Sequence, residues 1–255
     1  MIELKTATEI DVLREAGRIV ANALHAVRAH ATVGTSLREL DELARTVITD
    51  AGAQPVFLGY RPNWAPTPFP GVICASVNDA IVHGIPNRQR LADGDLVSID
   101  CGARVQGWVG DAAITFSVGT ARPADVLLTE TTAQALADGI AAAQPGGRIG
   151  DISRAIGLVG RSAGYGIPGP LGGHGVGRDM HEAPFVPNDG SPGRGAPLRP
   201  GLVLAIEPMF LAGGHDDIRT AEDGWTVCTG DGSRAAHVEH TIAITEDGPR
   251  VLTAL

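Results

Sequence analysis

Apolar residues at Ile10, Leu13, Ala16, Ile19, Val20 and Leu24 recur at intervals of three and four. That spacing places them on one stripe of an α-helix, with Thr6 or Thr8 as its cap and Ala29 near its end. Ser36-Leu-Arg-Glu39 has the capping-box pattern, in which each side chain serves the other's backbone amide. It predicts a second helix ending near Gly52. From Val56 to Phe116 the pattern shifts to short apolar runs broken by turns, which predicts strands and loops. Within it, YRPNWAPTPFPG (60–71) is proline-rich and irregular. Pro123 suits the first turn of a third helix reaching about Gln144. A fourth runs from about Ile149 to Ala163, and mostly short strands and Gly/Pro loops follow.

The order repeats. Helix, short glycine-containing link, helix and an Ala-Gly stop occur over 10–52 and again over 124–164. Downstream, LADGDLVSID (91–100) resembles LRPGLVLAIE (198–207), each with a glycine six residues before an acid. DAAITFSVG (111–119) resembles EHTIAITEDG (239–248). The shared order predicts one 1–255 domain with a pseudo-repeat at roughly 1–120 and 121–255.

The repeat sets Asp100 opposite Glu207 and Asp111 opposite Glu239, all in or beside apolar, strand-like runs. Acids are costly to bury alone, and no lysine recurs with them, since Lys5 is the chain's only one. A bound cation pair is the simpler compensation. Alternation along HVEHT places Glu239 and His237 on one face, with Val238 and His240 on the other.

GGHGVGRDMHEAP (172–184) suggests a phosphate loop by its glycines and a metal or acid–base site by His174 and His181. The preceding YGIPGPLGG is not strand-like and Pro184 follows soon, so a nucleotide fingerprint does not fit. The prolines and glycines also disfavour a helix, which leaves the histidines on a bent segment with separate roles open to them. His83 is a third candidate, whereas His25, His30 and His215 read as surface residues. HVEHT is not the HExxH of a zincin.

Hydrophobic residues make up 44% of the 255, enough to bury a sizeable core. The net charge of −9 argues against nucleic acid as a partner. Cys74, Cys101 and Cys228 form no CxxC pair, so reduced thiols in a cytoplasmic setting are expected. The N-terminal segment carries charges throughout, unlike a signal peptide, and no run nears the ~20 apolar residues of a membrane span.

SVNDAIVHGIP (76–86), LVSIDCGARVQGWVGDAA (96–113), GGHGVGRDMHEAP (172–184), LAIEPM (204–209), DGWTV (223–227) and HVEHT (237–241) together resemble the type I methionine aminopeptidases, in the short bacterial form. The resemblance implies an α/β (α+β) "pita-bread" fold: two pseudo-symmetric halves forming a central, mostly antiparallel curved sheet covered by helices. It implies Asp100, Asp111, His174, Glu207 and Glu239 as ligands of two divalent ions (Co, Mn, Fe or Zn), with Asp111 and Glu239 bridging. It also implies His83, His181 and Glu207 as catalytic residues, and Tyr60, Phe69, Cys74, Met180 and Trp225 as the methionine pocket beside His83 and His181. The expected reaction removes the initiator methionine of nascent chains when the second residue is small. The expected partners are those N-termini, with the ribosome as a candidate contact and no membrane; the chain is expected to be a monomer.

Three positions depart from that family's pattern. Met180 stands where an aromatic is usual, His237 where Gln is common, and the loop Arg61–Pro68 is longer and richer in proline. Two other readings are an Xaa-Pro peptidase with the same metal set and a non-catalytic binding protein. The SVND…HGIP and LAIEPM stretches favour methionine over the first, and the intact ligand set argues against the second.

Overall fold

Thr6 caps the first helix, α1 (Ala7–His30): its hydroxyl accepts from the Glu9 amide at 3.4 Å, and Glu9 Oε2 accepts from the Thr6 amide at 2.8 Å. Ser36 and Glu39 make the same reciprocal pair at the start of α2 (Leu37–Asp50), at 3.2 and 2.6 Å. Helix α3 (Pro123–Ala142) begins with its proline, and α4 (Ile149–Ser162) follows. The computed structural model describes residues 2–255; Met1, at the edge of the expected 1–255 domain, lies outside them.

The first strands are β1 (Gln54–Pro55), β2 (Ile73–Val77), β3 (Ala80–Val82), β4 (Leu96–Val105) and β5 (Trp108–Ser117). After the second helix pair come β6 (Gly172–Gly175), β7 (Glu182–Pro187), β8 (Val203–Ile206), β9 (Met209–Leu211) and β10 (Ile218–Thr220). The last are β11 (Val227–Thr229), β12 (Ala235–His237), β13 (Glu239–Thr245) and β14 (Gly248–Val251). The main sheet has nine strands in the order β1-β4-β5-β13-β8-β6-β7, with β2 beside β4 and β14 beside β13. Its neighbours pair antiparallel. Strands β10-β11-β3 and β12-β9 form two smaller sheets.

Each helix pair buries its apolar stripe against its own strands. Val20, Leu24, Leu40 and Ile48 of α1 and α2 pack with Val97, Ile99 and Cys101 of β4. Leu136, Ile152 and Ile156 of α3 and α4 pack with Leu204, Ile206 and Ile242 of β8 and β13. A fully buried Leu or Ile contributes about 1.5–3 kcal/mol, so these two clusters supply a large share of the stability. Alternation along the strands sends the residues between them to the opposite face. Ile99 and Cys101 face the helices; Asp100 does not. Among the described residues no helix is long and apolar enough to cross a membrane.

Helix α1 lies close on β5 because glycines meet there. A Cβ added at Gly110 would stand 2.6 Å from the Gly17 nitrogen, inside the backbone of the helix. Gly110→Ala should therefore destabilise the metal-free protein by about 1–3 kcal/mol, the usual cost of overpacking. Urea unfolding measures this, and an unchanged midpoint would show that α1 is free to yield.

Candidate metal centre

The register of three central strands gathers the acids. Asp100 of β4 and Glu239 of β13 both pair with Ala113 of β5, and Asp111 lies two residues along β5 on the same face. His174 of β6 pairs with Ala205 of β8, and Glu207 directly follows β8. The β5–β13 ladder itself is short, and two threonines extend it. The Asp111 amide donates to Thr241 Oγ1 at 3.2 Å, and that hydroxyl donates to the Asp111 carbonyl at 2.7 Å. Thr115 makes the same clasp on His237, at 3.0 and 2.6 Å. The backbones carrying the chemistry are thus fixed by side chains where strand pairing ends.

The electrostatics of this cluster are unfavourable unless something neutralises it. Asp111, Glu207 and Glu239 are buried, and so is Oδ1 of the less enclosed Asp100. Burial pushes the Asp100 carboxyl up to about 7 and the other three well above the carboxylate range. Among the described residues, the only basic groups within 4.0 Å of these acids are His174 and His237. Neither supplies charge: burial lowers His174 to about 3 and moves His237 down as well. Asp100 Oδ1, Asp111 Oδ1, Glu239 Oε1 and His237 Nε2 are buried with no hydrogen-bond partner.

His174 shows what is missing. Its Nδ1 lies 2.9 Å from the Gly175 carbonyl, which can only accept, so Nδ1 carries the proton. Nε2 is then a bare lone pair, 3.8 Å from Asp111 Oδ2 and 3.5 Å from Glu207 Oε1. Lone pairs that converge across such gaps have the arrangement a cation could occupy. The donor set therefore fits a metal. Asp111, His174 and Glu239 each place a donor atom within 4.8 Å of the other two, and so do Glu207, His237 and Glu239.

All twelve residues singled out from the sequence line one cavity of about 770 Å³. Asp100, Asp111, His174, Glu207 and Glu239 line it together with Tyr60, Phe69, Cys74, Met180 and Trp225. His83 and His181 line it as well. His181 stacks against Tyr60, whose hydroxyl is 2.9 Å from His181 Nδ1, and its ring centre is 4.2 Å from that of His174. His83 has a left-handed backbone, with φ 59°, a conformation that costs a non-glycine residue about 1–3 kcal/mol and collects at functional sites. Burial lowers its imidazole to about 4, so it is neutral at pH 7.

The glycine-rich stretch differs in part from expectation. Gly172–Gly175 is a strand that pairs with β7 and β8, and the chain then bends over 176–181 before β7, so the two histidines do lie on a bent segment. None of Gly172, Gly173, Gly175 and Gly177 has a positive φ. They are needed for close approach: a Cβ at Gly173 would collide with the Ala205 carbonyl oxygen, and one at Gly175 with that of Ala183. The sequence also gave no sign of Trp64. It stacks over His83 with ring centres 5.9 Å apart, meets Trp225 edge-on at 5.0 Å, and lines the cavity while 59% exposed. An exposed aromatic in an aperiodic proline loop carries no pattern to find it by. Phe57 and Phe185 line the cavity too.

The sequence profile of metallopeptidase family M24 matches residues 11–246. Methionine aminopeptidase 1 of Mycobacterium tuberculosis is 51% identical over 260 residues, covering 99% of this chain and 95% of that one. The chain belongs to metallopeptidase family M24, among its methionine aminopeptidases. Methionine aminopeptidase 1 of Bacillus subtilis is 46% identical, with 99% of each chain covered. The methionine aminopeptidase structure from Thermotoga maritima superposes with a TM-score of 0.95 at 41% identity, covering all of both chains. A prolidase from Pyrococcus furiosus shares the fold alone, with a TM-score of 0.79 at 24% identity over 99% of this chain and 65% of that one. This M24 chain is thus a metal-dependent aminopeptidase on the pita-bread fold.

Metal binding should release protons. As a metal ligand Asp100 would have to be the carboxylate, but below about pH 7 the group holds its proton. Apparent metal affinity should accordingly rise with pH through about 7. The histidines do not oppose this, since His174 is already neutral above about pH 3. Calorimetric titration with Co(II) at pH 6, in buffers of different ionisation enthalpy, should show release of about one proton or more. No release would mean that the carboxylates are ionised before metal arrives.

Proposed function

We propose that this enzyme removes the N-terminal methionine of nascent polypeptides when the second residue is small, using two divalent ions. The observation that carries the reading is the set of unpartnered buried acceptors at the end of an apolar, aromatic-lined cavity. Asp100, Asp111, His174, Glu207 and Glu239 would hold the ions, with Asp111 and Glu239 shared. Oxygen donors with one imidazole suit Mn, Fe or Co, with Zn as a further candidate. Such a pair supplies Lewis acidity and a water acidified toward neutrality. Both element runs contribute ligands, which supports 1–255 as one catalytic domain. Buried free Cys74, Cys101 and Cys228 support a reducing, cytoplasmic setting.

The chain's own groups divide the remaining work. Glu207 carries the proton from the attacking water toward the leaving amine. Burial and the nearby Asp179 raise the Tyr60 phenol, so it keeps its proton and can donate to His181 Nδ1. The neutral His181 then has its own proton on Nε2, where it serves the substrate carbonyl oxygen as charge builds. His83, held neutral beneath Trp64, contacts the scissile amide. The free amine of the substrate meets the acidic end of the cavity, so only a terminal residue is placed for cleavage. Tyr60, Phe69, Cys74, Met180 and Trp225 hold the methionine side chain, and each thioether–aromatic contact contributes about 0.3–1.5 kcal/mol.

Metal-reconstituted protein should release Met from Met-Ala-Ser and leave Ala-Pro-Ala intact. The reverse selectivity would replace this reading with the Xaa-Pro one. Asp111→Ala should lose bound metal and cut hydrolysis by more than the ~10–100-fold that losing a ligand's outer partner costs; unchanged activity would end the metal mechanism. Tyr60→Phe should lower kcat by ~10-fold with metal content unchanged, less than the ~10²–10³-fold for removing an oxyanion donor itself. Full kcat in that variant would show that His181 needs no partner.

A further inference from the structure

His237 lies outside the five ligands assigned above, yet the structure aims it at them. It is 1% exposed, and its Nε2 is buried without a hydrogen-bond partner. That nitrogen is 3.2 Å from Glu207 Oε2 and 3.9 Å from Glu239 Oε2. His174 approaches the other oxygen, with Nε2 3.5 Å from Glu207 Oε1. The two imidazoles therefore flank the two oxygens of one carboxylate.

These separations are those of donors that share an ion. Atoms bonded at about 2.1 Å to one cation lie about 3 Å apart at right angles and about 4.2 Å apart when opposed. The four distances from His174 and His237 to Asp111, Glu207 and Glu239 run from 3.2 to 3.9 Å, within that span. A hydrogen bond from His237 to Glu207 explains the ring less well, because at 3.2 Å the pair lacks hydrogen-bonding geometry. The ring also has little freedom. Its backbone is clasped by Thr115 on both sides, and β12 pairs His237 with Met209. His237 is not among the residues that line the cavity, although its Nε2 reaches two that do, Glu207 and Glu239.

We infer that His237 is a sixth ligand of the metal centre, a second imidazole that joins His174 at the ion held by Glu207. This rests on the two-ion reading of the site. A second nitrogen donor makes that position less suited to Mn and better suited to Co, Fe or Zn.

The test uses the full chain loaded with Co(II) alone. X-ray absorption should count an average of one imidazole per ion in the wild type, and about half that in His237→Gln. Calorimetry on His237→Gln and His237→Ala should show the affinity for one ion lowered by ~10-fold or more and the other unchanged, a loss no smaller than that for an outer partner. A wild-type average of one imidazole per two ions overturns the inference, as do equal affinities in wild type and variants. If the variants do not fold, the wild-type count decides alone. Failure of the wild type to bind Co(II) overturns both this inference and the two-ion reading; binding without a bond to His237 overturns this one only.

Discussion

Four carboxylates gathered at one point, three of them buried, with no lysine or arginine among the described residues within 4.0 Å of them, set the terms for the rest of the structure. Two like charges about 4 Å apart repel by about 4 kcal/mol at an effective dielectric of about 20. Several such pairs would consume most of the roughly 5–15 kcal/mol by which a domain is stable. The cluster must therefore be neutralised by protons or by cations. Protons are the poorer solution near neutral pH, where the Asp100 carboxyl is already titrating. Metal binding would in this sense relieve a structural cost as well as serve catalysis.

The scaffold holds that arrangement against its own repulsion. Helix pairs weight one face of the sheet with apolar contacts, and alternation leaves the other face free for the acids. Small residues at the crossing points, Ala113 and Ala205, keep the strands carrying Asp100, Glu239 and His174 in register. Thr115 and Thr241 fix the backbone where the β5–β13 ladder ends. Tyr60 and the aromatic wall orient His181 and His83 above the cluster. Rigidity below and an apolar chamber above together let one end of a peptide be held and the bond beside it be hydrolysed.

Much of this was legible in the residues themselves. Reciprocal capping by Thr6/Glu9 and Ser36/Glu39 is a local interaction, so those helix starts could be read directly. The acids were legible because a carboxylate inside an apolar run is costly wherever the strand goes, and the repeat showed which ones correspond. Gly172–Gly175 was not legible as a strand. Its glycines remove the side-chain alternation that signals one, and their purpose lies in contacts with Ala205 and Ala183. Trp64 was missed for a related reason: its partners, His83 and Trp225, are distant in sequence and fixed only by the fold. His237 was visible as an odd residue beside Glu239, but its approach to Glu207 depends on where β8 ends.

Neutralisation of this cluster by cations is what the proposed chemistry rests on. Anomalous diffraction from crystals of the Co(II)-loaded protein tests it most directly. Two strong peaks are expected among Asp100, Asp111, His174, Glu207 and Glu239, with no comparable peak elsewhere. Absence of anomalous signal there, with the carboxylates instead paired through shared protons, would contradict it.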